Sequence, residues 1–132
     1  MERFSVETRR RTELVDITAQ VERAVRASGV KDGVAHVFAL HTTAGITINE
    51  NADPTVVQDV LAALDRAVPQ EAGYRHGEGN SPAHVKSSLM GCSQTVPVEG
   101  GRLVLGTWQA IYFCEFDGPR TRTVAVQVSG TP

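Results

Sequence analysis

The chain has 132 residues, 41% of them hydrophobic and 21% charged, with 13 Lys and Arg against 15 Asp and Glu for a formal charge of −2. That length and mix specify a single globular domain over residues 1–132 and exclude a disordered tail, a collagen-like repeat and a long coiled coil. The balanced charge excludes a surface built to coat nucleic acid, and no apolar run approaches the ~18–20 residues of a membrane helix.

Met1 to Arg11 opens on Glu2 and Arg3 and has no apolar segment of the kind an export signal needs. Cys92 and Cys114 therefore read as reduced, buried thiols of a cytoplasmic protein rather than as a disulfide. Phe4, Val6 and Thr8 alternate with Ser5 and Glu7, the period of a half-buried strand. Leu14 and Val15 lead into a first helix. Asp16 or Thr18 is its cap, Ile17, Val21, Ala24 and Val25 are its apolar stripe, and Gly29 is its left-handed stop. Val34 to Leu40 reads as a strand buried on both faces, and Ile46 to Asn49 as a strand that extends it or pairs with it. Asp53-Pro54 opens a second helix, with Asp as cap and Pro in the first turn. Val57, Val60, Leu61, Leu64 and Val68 give its stripe, and Pro69 ends it.

Residues 70–82 form a Gly-rich loop. Ser81-Pro82 then repeats the cap-plus-proline signal for a short helix over Ala83 to Leu89. After Gly91 the runs Thr95–Val98, Arg102–Leu105, Trp108–Phe116 and Thr123–Val128 are rich in β-formers. Glu99-Gly100-Gly101 and Asp117-Gly118-Pro119 break them as hairpin-type turns. The predicted class is α+β, with two longer helices, one short helix and an antiparallel meander.

The histidines are the sharpest chemical feature. His41, His76 and His84 fall at segment ends, which can converge in space, and imidazole is the commonest neutral metal ligand. Three of them with an open fourth position would hold Zn²⁺ and a reactive water. Their spacing matches no standard zinc signature, so the alternative is that each satisfies a backbone group. His36 reads as core or as facing another strand. Glu50, between a strand and a helix, suits a general base or a group orienting a metal-bound histidine. Asn49 and Asn51 suit turns, and Asp53 suits a cap.

Lys86 and Ser87 follow a helix start, which favours an anion. With Thr42 and Thr43 they would hold a phosphate, the alternative being an ordinary capped helix with a solvated lysine. Arg102 can fork onto phosphate or carboxylate, or pair with an acid across a sheet. Trp108 reads as core or interface.

The strings His41-Thr-Thr-Ala-Gly45, Ile48-Asn-Glu-Asn-Ala-Asp-Pro54, Ala83-His-Val-Lys-Ser-Ser-Leu-Met-Gly91, Pro97-Val98, Gly101-Arg102 and Gly106-Thr-Trp-Gln109 resemble the YjbQ-like family, whose members are described as secondary thiamine-phosphate synthases. The resemblance runs from about Phe4 to Val128. It implies a compact antiparallel β-sandwich with a jelly-roll-like core, a homotrimer, and a cleft near the subunit boundary. It also implies a divalent metal on His41, His76 and His84. Zinc comes before magnesium there, because Mg²⁺ prefers oxygen ligands.

The implied reaction joins a pyrimidine methyl diphosphate to a thiazole phosphate and releases pyrophosphate. Glu50, Lys86 and Arg102 would be catalytic, and Thr43, Asn49, Ser87, Thr107 and Gln109 would bind substrate. In the loop Gly77 to Pro82 only Glu78 supplies an acid, where relatives often carry more. The rival readings are a metal-dependent hydrolase of a phosphate ester or an amide, a non-enzymatic trimer that binds a metal or a small anionic ligand, and a purely structural oligomer whose histidines satisfy backbone groups. The expected partner is a small phosphorylated or anionic molecule, with neither nucleic acid nor membrane involved.

Overall fold

The computed structural model describes residues 1–132. Its elements in chain order are β1 (Glu2–Glu7), β2 (Glu13–Asp16), α1 (Thr18–Ser28), β3 (Asp32–Ala39), β4 (Ala44–Glu50), α2 (Pro54–Ala67), α3 (Ser81–Met90), β5 (Ser93–Glu99), β6 (Arg102–Leu103), β7 (Gln109–Glu115) and β8 (Thr121–Thr131). Two antiparallel sheets form, one ordered β1-β8-β3-β5-β6 and the other β2-β7-β4. This is the α+β sandwich expected, but its connections are not a meander. Only β5 and β6 form a hairpin, closed by Gly100 and Gly101 at φ 60° and 77°, the left-handed pair that a two-residue turn requires. β8 runs between β1 and β3 instead of beside β7.

One cluster joins the layers. Val37, Val96, Val124 and Val126 of the five-stranded sheet meet Ile46, Ile111 and Phe113 of the three-stranded sheet and Val21 and Val25 of α1. Burying each such side chain contributes roughly 1.5–3 kcal/mol, so the alternation along the strands fixes which face turns inward.

The helix signals are realised with one shift. The Asp16 carboxylate accepts from Thr18 N–H at 2.9 Å at the start of α1, and Gly29 ends it at φ 72°. Asp53 caps α2, accepting from Thr55 N–H at 2.9 Å. α3 begins two residues earlier than expected: Asn80 is its cap residue, and Ser81 and Pro82 lie in its first turn.

Four other expectations change. β3 is buried on one face only, since Phe38 is 45% exposed on the other. His36 is exposed beside Phe38 and meets Thr95 Oγ1 on the adjacent strand at 3.0 Å, so it faces a strand and is not core. β4 neither extends nor pairs with β3, because it crosses to the other sheet and pairs with β7. Trp108, 62% exposed, is not core. Of the thiols, both free, Cys114 is buried and Cys92 is exposed. No helix is long and apolar enough to cross a membrane.

Of the six connections that switch sheets, three are close together: β1 to β2, β3 to β4, and β7 to β8. They meet at one end of the sandwich, tied by Thr8 N–H to Arg120 O at 2.9 Å, Gly118 N–H to Arg11 O at 3.0 Å and Phe116 N–H to Thr43 O at 3.2 Å. Gly118 sits in the tightest part. A Cβ there would lie 2.2 Å from Arg10 O, so no side chain fits.

Candidate active site

At this end an open cleft of ≈430 Å³ is lined by His41, His76, His84, Arg120 and Arg122, with Thr43, Glu78, Asn80 and Asp117 completing its polar wall. His41 comes from the β3–β4 crossing, His76 from the loop before α3, His84 from the first turns of α3, and the arginines from the β7–β8 corner and β8. α3 turns Ala83, Lys86 and Ser87 inward, which leaves His84 on the flank facing the cleft.

The floor is a buried ion pair. Glu115 of β7 is 0% exposed and Arg122 of β8 is 3% exposed. Arg122 Nε donates to Glu115 Oε1 at 2.8 Å and its Nη2 donates to Oε2. Thr8 Oγ1 donates to Oε1 at 2.7 Å, and Asp117 N–H donates to Oε2 at 3.0 Å. Burial pushes the Glu115 carboxyl up. The hydrogen bonds from Arg122, Thr8 and Asp117 and the Arg122 charge outweigh it, and the group sits below the ordinary carboxylate range. Arg122 Nη2 also donates to Thr43 Oγ1 at 2.9 Å, so the buried Thr43 is fastened to the floor.

The rim is built on Asp117. Its Oδ2 accepts from Asn80 Nδ2 at 3.0 Å and from Arg120 Nη2 at 2.7 Å, and its carbonyl accepts from Arg120 Nε at 2.8 Å. The Asp117 contact fixes the Asn80 amide orientation. It leaves Asn80 Oδ1 as a buried acceptor without a partner. Half of the Arg120 side chain is exposed, with guanidinium N–H groups to offer a ligand.

His41 is held in place by the backbone. Its Nε2 accepts from Thr123 N–H at 2.8 Å, and its ring packs edge-on to Phe113 with centroids 6.3 Å apart. A ring that accepts at Nε2 carries its proton on Nδ1 when neutral. Burial, then the Arg122 charge, holds its pKa below the ordinary histidine value, so the neutral form dominates at pH 7.

His76 and His84 lie edge to face with ring centroids 5.3 Å apart, and His76 Nε2 is 3.8 Å from Glu78 Oε2. Two imidazoles on one tetrahedral zinc, with Zn–N of ~2.0–2.1 Å, place their ring centres roughly 5 Å apart. The His76–His84 ring separation matches that spacing. The full trio does not, since no three His, Cys, Asp or Glu side chains stand close enough to share an ion. His41 cannot join through Nε2 without releasing Thr123 N–H.

The other residues singled out in the sequence lie elsewhere. Lys86 is on the far side of α3, where Nζ meets Asp65 Oδ1 at 2.5 Å and stands 6.0 Å from the Phe116 ring centre. Ser87 Oγ donates to Ala44 O at 2.6 Å, both buried. Asn49 and Glu50 end β4 opposite Ala110 and Gln109, at the opposite end of that strand from His41, roughly 20 Å at ~3.4 Å per residue. There Gln109 Oε1 accepts from Gly106 N–H at 2.8 Å, and Thr107 lies in the loop just before β7. Arg102 is on the edge strand β6.

Sequence reasoning passed over Asn80, Glu115, Asp117, Arg120 and Arg122. One signal was present. Glu115 interrupts the apolar run Tyr112 to Phe116, and a carboxylate there needs a buried partner.

Fold and cleft together define a class: an antiparallel α+β sandwich with a histidine- and arginine-lined cleft where its sheets exchange strands. The sequence profile of the UPF0047 protein YjbQ-like family matches residues 2–131, and the chain belongs to that family. It is 52% identical to the UPF0047 protein MJ1081 of Methanocaldococcus jannaschii over 97% of this chain and 93% of that protein. It is 54% identical to YugU of Bacillus subtilis over 96% and 97%. A crystal structure of a family member from Clostridium acetobutylicum, 55% identical, superposes with a TM-score of 0.96 over 98% of this chain and all of that one. A YbjQ-like protein from Sulfolobus solfataricus, 37% identical, gives 0.94 over 98% of this chain and 95% of that one.

Proposed function

We propose that the histidine cleft binds a small phosphorylated substrate together with a divalent ion, zinc before magnesium, and transfers an organic group with loss of pyrophosphate, as in thiamine-phosphate synthesis. The observation that carries this reading is the meeting of His41, His76, His84 and Arg120, from four separate segments, on one cleft. Charge supports the ion. Two guanidiniums on the cleft face two carboxylates, Glu78 and Asp117, so no surplus positive charge meets a diphosphate.

His76 and His84 would hold a divalent ion, which would supply that charge and Lewis-acid polarisation of a phosphate oxygen. Arg120 directs its free N–H groups at the phosphate. His41 offers Nδ1–H as a neutral donor to a leaving oxygen. Glu78, beside His76, orients that imidazole. Arg122, fixed by Glu115, holds Thr43 and the floor in place. Lys86, Glu50 and Arg102 have no step in this reading within one protomer. A second reading is hydrolysis, favoured by the exposed Glu78 carboxylate beside His76, which can take a proton from water.

The reading includes a cytoplasmic homotrimer. Two free thiols suit a reducing compartment, and exposed Phe38, Leu40, Val85, Leu89 and Trp108 suit an apolar interface.

The test measures metal content and product release together. The expected result is near-stoichiometric zinc in wild type, zinc lost in His84→Ala, and pyrophosphate release reduced about 10²-fold or more in Arg120→Ala. A chain that takes up no zinc removes the ion, and turnover unchanged in both variants removes the site. Phosphate released from a diphosphate substrate alone selects hydrolysis.

A further inference from the structure

We infer a second ligand site, separate from the histidine cleft, in which Arg26, Lys31 and Arg102 bind a phosphate-bearing small molecule. The three side chains come from the last turn of α1, the α1–β3 connection and β6, and they line one cleft of ≈600 Å³. A single carboxylate, Glu22, lines it with them. The protein's ion pairs are His76–Glu78, Lys86–Asp65, Arg120–Asp117 and Arg122–Glu115, so all three cations are free of any carboxylate within 4.0 Å. In a chain of net charge −2, three unpaired cations around one concavity are the local excess that the histidine cleft lacks.

Arg26 has a local reason for its place, because the last turn of a helix attracts a cation. Lys31 and Arg102 have none, and the backbone brings them together. Gly101 N–H donates to Lys31 O at 3.0 Å, and Lys31 N–H donates to Thr131 O at 2.8 Å. The Lys31 side chain lies along the hairpin, with Cδ and Nζ each 3.4 Å from where a Gly101 Cβ would stand. Lys31 Nζ thus lies beside the turn that leads directly into Arg102. Leu103, half-buried, adds an apolar patch to its wall.

Two planar guanidiniums and a compact ammonium are the donor set that takes phosphate, by bidentate forks and a point charge. The Leu103 patch can meet the organic part of an ester. The same site gives Arg102 a role that its distance from the histidines denies it there.

The probe is inorganic pyrophosphate, titrated at low salt into ¹⁵N-labelled protein. Backbone amides of Lys31, Gly100 and Gly101 are expected to shift on titration. The apparent affinity read from them should fall at least tenfold in Lys31→Ala/Arg102→Ala, and should fall with added salt. The same shifts should persist in His84→Ala, which separates this site from the histidine cleft. All three side chains are exposed, and an unchanged melting temperature in the double variant confirms an intact fold. Wild-type amides that do not move, or move undiminished in the double variant, or fall silent in His84→Ala, overturn the inference.

Discussion

His41 shows how one backbone amide restricts a side chain's chemistry. Thr123 N–H occupies Nε2, so a metal bound there would leave a part-buried backbone donor unpaired, at about 1 kcal/mol. A metal on Nδ1 would displace the proton to Nε2 and set two donors against each other. The ring is therefore a hydrogen-bond donor toward the cleft. Nitrogen NMR of the histidine side chains near pH 7.5 is expected to show His41 as the Nδ1–H tautomer, unchanged when zinc is added, while His76 and His84 respond. A Nε2–H signal for His41 would contradict the placement. Because burial and Arg122 lower its pKa, His41 should protonate only below the ordinary histidine midpoint of ~6.5.

At the scale of elements, α3 shows why a motif can be read correctly and its use misread. Ser81-Pro82 announced the helix, and the Ser87 hydroxyl beside Lys86 resembled an anion site. The structure turns both inward, Ser87 onto Ala44 O and Lys86 onto Asp65. Ser87→Ala is expected to lower stability by about 1–3 kcal/mol, since it removes a buried hydrogen bond. Ser88→Ala, which loses only an exposed bond to His84 O, should stay within about 0.5 kcal/mol. Urea midpoints decide this, and a stable Ser87→Ala protein with weakened phosphate binding would restore the sequence-based role.

Helices α1 and α2 were legible because their caps and stops are local: Asp16, Gly29, Asp53 and Pro54 act within a few residues. Strand pairing was not legible. Ile46 and Ile48 carry the same pattern whether β4 sits beside β3 or beside β7. The choice is made by the β3–β4 crossing and by Phe113 and Ile111 across the core. The histidines were legible as segment-end residues, and they line one cleft, but the arginines of the cleft looked like ordinary strand and turn residues until β8 was placed against β3.

The whole molecule depends on a contact that no local pattern specifies. Glu115 belongs to the three-stranded sheet and Arg122 to the five-stranded one, and their pairing closes the end of the sandwich under the cleft. A buried pair of this kind adds little compared with an apolar substitute, but removing one partner leaves a buried charge alone, at about 3–5 kcal/mol. Glu115→Ala is therefore expected to be severely destabilised, and Glu115→Met/Arg122→Met to recover most of the loss while losing the cleft floor.

The pH dependence has a definite sign. The Glu115 carboxyl lies below its ordinary value in the folded protein, so the unfolded chain takes up the proton first as pH falls. The contribution is complete above the ordinary carboxylate range near ~4.3 and disappears as pH drops through the lower folded value. Melting temperatures of wild type should fall steeply below that range. Glu115→Gln, which has no proton to gain, should show a shallower acid limb from a lower starting point. Parallel acid limbs in the two proteins would mean that the pair does not carry the acid sensitivity of the fold.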